Sequence, residues 1–212
     1  MKTDKWSAIL NGVGLIFYLI GTIYLLVYSL FFNIPGKLPV IILYMITSLV
    51  YWAMNTSYHT LRYHDIHNIF FRKLDHVSVF FLIVGTFTPC ILSYGTEPGR
   101  TIILAIIWIL VLVGSLLVIF WKKIPEGTSV IISFLLAVIC IISMIVFINN
   151  VPITGILTFF IGTGLFVAGG IIYALKKPDL KYKTYGSHEF YHTLALIGTI
   201  FLYFFVYMAI MS

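Results

Sequence analysis

Stretches free of Asp, Glu, Lys and Arg run over 6–36, 38–61, 76–96, 101–121, 127–175 and 190–212. Five have the length of one membrane crossing, which takes about 20 mostly apolar residues. The stretch 127–175 is too long for one crossing and breaks at Asn149-Asn150-Val151-Pro152, a turn-type cluster. The pattern predicts seven spans, at about 8–31, 39–60, 75–95, 101–121, 128–148, 153–175 and 188–211. Helix is the expected state, because backbone polar groups in lipid must be satisfied within the segment or in a closed barrel. Barrel strands would show short alternating segments, whereas these runs are continuous. The expected fold class is an all-α integral membrane protein, a single seven-helix domain over 1–212. A signal peptide fits the first span poorly: it is long, and no small-residue cleavage motif follows it.

Composition agrees. Apolar types make up 61% of the 212 residues and charged types 9%. A soluble domain of this length needs a more charged surface, and disorder needs low hydrophobicity. Charge placement adds an orientation. Lys2, Lys5, Arg62, Arg72, Lys73, Lys122, Lys123, Lys176, Lys177, Lys181 and Lys183 fall on the side of the N-terminus, and only Lys37 and Arg100 on the other. Cytoplasmic loops carry the excess of Lys and Arg, so the N-terminus is expected inside and the C-terminus outside. The net charge of +6 is mostly this bias, and gives no case for nucleic acid. Cys90 and Cys140 fall within spans and read as packing residues. In the third span, Gly85 suits close helix packing and Pro89 predicts a kink; Gly162, Gly164, Gly169 and Gly170 in the sixth also read as packing.

Ionisable residues inside spans are costly, and each is a functional hypothesis. His59 ends the second span, Asp75 and His76 open the third, and His188, Glu189 and His192 open the seventh. The topology puts all of them at one depth, near the cytoplasmic face. His188-Glu189-Phe190-Tyr191-His192 is a His-Glu-x-x-His sequence, and residues four apart share a helix face. With six His in the chain, about 0.002 such matches are expected by chance. Two imidazoles one turn apart can bind one metal ion, and a catalytic zinc site usually has three protein ligands. By depth, His59 is the best third ligand. His76 is about 100° round the helix from Asp75 and is left out of the set. His64 and His67, in the charged loop 61–74, read as solvated. Asp75 can hold or deprotonate a water at the metal; its alternative role is a helix-terminal charge beside Arg72 and Lys73. Glu189 is either the general base, as in soluble zinc proteases, or a surface residue. Asn55 shares the His59 face and can hydrogen-bond a water or a substrate carbonyl, or another helix. The residues admit iron or another divalent ion as well as zinc.

These blocks resemble the hemolysin III family, the bacterial branch of the progestin and adipoQ receptor (PAQR) superfamily. The likeness spans 5–211 and rests on Ser57-Tyr58-His59, on Arg72-Lys73-Leu74-Asp75-His76 leading to Gly85-Thr86-Phe87-Thr88-Pro89, and on His188 to His192. The resemblance implies a cytoplasmic N-terminus and Zn2+ held by His59, His188 and His192, with Asp75 beside its water. It favours Asp75 over Glu189 as base, since the receptor branch needs no Glu there. Asn55 departs from the family's Ser at that position. The superfamily is distantly similar to membrane ceramidases, which implies zinc-dependent hydrolysis of a lipid amide, with a membrane lipid as partner. The alternatives are a receptor-like or membrane-homeostasis regulator with a structural zinc, and a cytolytic protein. A bacterial inner membrane is the expected location. Nothing in the sequence fixes the oligomeric state.

Overall fold

A computed structural model describes residues 5–32, 34, 36–64, 66, 68–121, 128–176 and 185–212. Among them are seven long helices and no strand. They are α1 (Lys5–Phe31), α2 (Leu38–Tyr63), α3 (Ile69–Tyr94), α4 (Gly99–Phe120), α5 (Thr128–Val146), α6 (Ile153–Leu175) and α7 (Ser187–Met211). At about 1.5 Å per residue, even α5 with 19 residues reaches about 28 Å, close to a hydrocarbon core of about 30 Å. The break expected inside 127–175 is a single 3₁₀ turn, Ile148–Asn150, between α5 and α6.

The largest departure from the predicted spans is the start of α3. The helix begins at Ile69, six residues before Asp75, and the expected loop 61–74 shrinks to the few residues after Tyr63. Asn68 caps this start, its Oδ1 accepting from the backbone N–H of Phe70 at 2.9 Å and of Phe71 at 3.4 Å. The two cations that suggested a loop are accommodated on the helix. Arg72 is exposed, and Lys73 Nζ donates to Ile119 O at 2.7 Å and Trp121 O at 3.3 Å. A long ammonium side chain thus covers the carbonyl end of α4, where the helix dipole favours it. Asp75 and His76 therefore lie within α3 and do not open it.

α3 is the central helix. Its most apolar stretch is 78% buried, against 22% for α6, and it packs against α2, α4, α5 and α7. α1 lies against α2 and α7, and α6 against α7. Lipid is as apolar as a leucine side chain, so close contact and internal hydrogen bonds hold such helices together. α1 shows the consequence. It buries Ser7, Asn11, Gly14, Tyr18, Thr22, Leu25 and Ser29, three or four residues apart, and leaves Ile16, Ile20, Val27 and Leu30 outward. Tyr18 donates to Thr199 O at 2.7 Å and Tyr203 to Gly21 O at 2.8 Å, tying α1 to α7.

Gly85 is where α2 and α3 meet most closely; a Cβ there would lie 1.9 Å from Thr47 Oγ1. α3 continues through Pro89 to Tyr94. Gly162 faces the Gly198 carbonyl and Gly169 faces Tyr191, so both pack as expected. Gly164 and Gly170 do not: they turn away from the bundle, with open space where a Cβ would stand. Cys90 and Cys140 are free and buried.

Candidate metal centre

Three helix ends converge at the end of the bundle where α1 begins. His59 lies one turn before the end of α2, and His188 and His192 lie in the first two turns of α7. His59 and His192 are buried and His188 is half-buried. One ring nitrogen from each imidazole can be chosen so that all three lie within 4.8 Å of one another. Ring centroids are 4.6 Å apart for His59 and His192, 4.8 Å for His188 and His192, and 5.3 Å for His59 and His188. His188 Nε2 and His192 Nε2 are 3.3 Å apart. Two nitrogens on a tetrahedral zinc, each bound at about 2.0–2.1 Å, stand about 3.4 Å apart. The i, i+4 spacing of α7 thus already sets the separation that one ion needs. The trio can hold a metal ion; its donor set also suits divalent ions other than zinc.

Asp75 is the second element. Its Oδ1 is buried and has no hydrogen-bond partner among the described residues. The carboxylate lies within electrostatic reach of His59 and Arg62. A buried acceptor left open costs about 1–3 kcal/mol, more when charged, so an unpaired one asks for an external partner. One turn on, Ser78 donates to Asp75 O at 2.7 Å. Asn55 Nδ2 donates to Tyr51 O at 3.2 Å and to Ser78 Oγ at 3.4 Å, linking α2 to α3. Of the two uses open to Asn55, the structure displays the interhelical one.

Glu189 is buried, not at the surface. Its Oε2 accepts from Gly186 N–H at 2.8 Å, which caps the start of α7. The Glu of the His-Glu-x-x-His sequence thus has a backbone partner outside the trio. His76 turns toward α5, its Nδ1 3.2 Å from Ser129 Oγ. His64 is exposed at the end of α2. His67 lies outside the described residues.

Asn11 and Ser78 carry no signal in the motif spacing. Asn11 Nδ2 lies 3.3 Å from His192 Nδ1, across 181 residues of sequence. A buried amide in the first span is a clue only if every polar side chain in lipid is treated as suspect.

The sequence matches the family model described as "Haemolysin-III related" over residues 2–203. The chain belongs to that family. As a family member it is 24% identical over 205 residues to "Hemolysin-3" of Bacillus cereus, covering 96% of this chain and 90% of that one. It is 22% identical over 204 residues to "Hemolysin-3 homolog" of Bacillus subtilis (strain 168), covering 96% and 92%. With seven helices long and apolar enough to cross a membrane among its described residues, this haemolysin III family member is a multi-pass membrane protein.

Proposed function

We propose that this chain is a zinc-dependent hydrolase of a lipid amide, with His59, His188 and His192 as the zinc ligands. The observation that carries this reading is the trio of imidazoles beside a buried carboxylate oxygen with no hydrogen-bond partner among the described residues. Zinc, when bound, supplies a Lewis acid for a carbonyl oxygen and makes a water acidic near neutral pH. Asp75 is the residue that receives the proton of the attacking water and later returns it to the leaving amine. Glu189, whose carboxylate is engaged with Gly186 N–H, holds the N-terminal turn of α7 and so the angle of the two histidines. Asn55 and Ser78 hold α2 and α3 in register, which fixes His59 against Asp75.

A lipid is the substrate class in this reading. The trio lies within two turns of the helix ends, and a cavity of about 280 Å³ opens between α2 and α3. Tyr58, Arg62, Asn68, Ile69 and Arg72 line it, so two guanidinium groups face the space. The basic bias of the same end supports placing the N-terminus and the site on the cytoplasmic side.

The relatives' name raises cytolysis as another reading. The burial argues against a pore: Tyr18, Tyr44, Tyr51 and Trp52 are fully buried, and Tyr18 of α1 packs ring against ring on Tyr44 and Trp52 of α2. A regulator with a purely structural zinc is separated from the hydrolase by one experiment. Zinc-loaded protein in detergent is given ceramide-type lipid amides, wild type beside Asp75→Asn. The hydrolase reading expects turnover in the wild type and a fall of about 10²–10⁴-fold in the variant, with zinc content unchanged. Zinc-replete wild type without turnover, or equal turnover in both, would remove it in favour of a structural metal.

A further inference from the structure

We propose that the cavity between the end of α2 and the start of α3 binds the phosphate of an anionic phospholipid headgroup, held by Arg62 and Arg72. The inference is independent of the metal reading above. The space measures about 280 Å³, just under the roughly 300–1,000 Å³ that takes a drug-sized ligand, so it has room for a headgroup and not for a whole lipid. Its walls come from both sides of the α2–α3 connection. Tyr58 and Arg62 lie one turn apart near the end of α2, and Asn68, Ile69 and Arg72 form the cap and first turn of α3.

Four of the five lining residues offer positive charge or a hydrogen-bond donor. The Arg62 guanidinium stands over the Tyr58 ring, its Cζ 5.7 Å from the centroid, which orients its planar fork. Asn68 spends its Oδ1 on the backbone N–H groups of Phe70 and Phe71, so the atom it has left is the donating Nδ2. The start of α3 adds the positive end of a helix dipole. Two guanidinium groups that face one space repel each other; an oxyanion between them relieves the repulsion and accepts from both forks. Among the described residues no carboxylate lines the cavity, so nothing there pairs with the ammonium of a zwitterionic headgroup. Asp75 lies within electrostatic reach of Arg62 but is not part of the wall. The surroundings favour a lipid over a free anion. Ile69 in the wall is exposed, as are Ile66 and Phe70 on either side of it in sequence. In a chain that crosses a membrane this apolar surface meets acyl chains, and basic pockets between membrane helices bind anionic headgroups.

The test titrates the full chain, delipidated in a neutral detergent, with short-chain phosphatidylglycerol, short-chain phosphatidylcholine and inorganic phosphate. The rise of the thermal midpoint with concentration gives each affinity, and the midpoint without ligand is the folding control. Three variants accompany the wild type. Arg72→Gln removes an exposed guanidinium, and Arg72→Lys keeps its charge but loses the fork. Lys176→Gln removes an exposed charge just past α6, at the same end of the bundle and outside the cavity. The expected result is saturable binding of phosphatidylglycerol, with the other two probes at least about tenfold weaker. Both Arg72 variants should lose about tenfold, the worth of one charge-assisted hydrogen bond, and Lys176→Gln should bind as the wild type does. No binding of phosphatidylglycerol by the wild type would overturn the proposal. So would undiminished binding in Arg72→Gln, or wild-type binding in Arg72→Lys beside an equal loss in Lys176→Gln, which would trace the attraction to the diffuse charge of this end. Equally tight phosphatidylcholine would overturn the anionic assignment, and equally tight inorganic phosphate would overturn the lipid one.

Discussion

The two ends of the bundle use polar groups in different ways. At the end away from the histidines, Lys37 Nζ donates to Ser93 Oγ at 2.9 Å and to Ala209 O at 3.3 Å, and Ser93 also donates to Ala209 O. Glu97 accepts from Thr101 and Arg100, and Asn150 covers the last turn of α3 through Tyr94 O at 2.8 Å. Those contacts close on one another and tie α2, α3 and α7 together. At the histidine end the polar atoms point inward and stop short. Two Nε2 atoms face each other, and Asp75 Oδ1, Asn11 Oδ1 and Ser7 Oγ lie buried without hydrogen-bond partners among the described residues. Each such open buried atom carries a cost that asks for an explanation. The first end is a clasp; the second brings together three imidazoles that could hold a metal ion.

Substitutions at the two ends should therefore behave differently. The largest contrast is expected at Asp75. Asp75→Asn should cut lipid-amide turnover by about 10²–10⁴-fold and yet leave the thermal midpoint equal or higher, because a buried carboxylate with one oxygen left open is replaced by a neutral group. A drop of several degrees would show that Asp75 is a structural residue and would erase the contrast. Gly85→Ala comes next. Its Cβ meets Thr47 Oγ1 at 1.9 Å, so α2 and α3 must separate, at a cost of about 1–3 kcal/mol by denaturant or heat. Those helices carry His59 and Asp75, so zinc affinity should fall with stability, whereas wild-type affinity would show that the site tolerates the shift.

Lys37→Met tests the clasp alone. Losing the donations to Ser93 and Ala209 should cost about 1 kcal/mol, while zinc affinity stays at the wild-type value. Burial lowers the affinity of the Lys37 ammonium for its proton, which moderates the loss. A change in zinc affinity would mean the two ends are coupled. The smallest effect belongs to Glu97, where hydrogen bonds from Thr101 and then Arg100 hold the exposed carboxyl below its usual range. A depressed carboxyl contributes above its unfolded value, about 4.3, and the contribution is lost as pH falls through the folded value. Glu97→Gln should therefore slightly flatten the acid limb of a melting curve at low salt, with no effect at neutral pH on zinc. An unchanged acid limb would leave the carboxyl without a stabilising role.

Much of this architecture is legible from charge spacing. Charge-free runs mark the spans because a helix in lipid has no cheap place for an ion. The His188 and His192 pair is legible because four residues make one turn. The start of α3 is not, since Arg72 and Lys73 look like a loop until Lys73 is seen reaching the last carbonyls of α4. The Glu189 cap is hidden by its motif, although Gly186 and Glu189 have the spacing of a capping pair. Asn11 lies 181 residues from the histidine it meets, and only the packing of α1 on α7 brings them together.

Elemental analysis of detergent-purified protein, wild type beside His192→Ala and both supplied with zinc, tests the central claim most directly. The account predicts one zinc per chain in the wild type and none in the variant. A wild type that holds no metal would contradict it, and the three histidines would then be polar packing at a helix end.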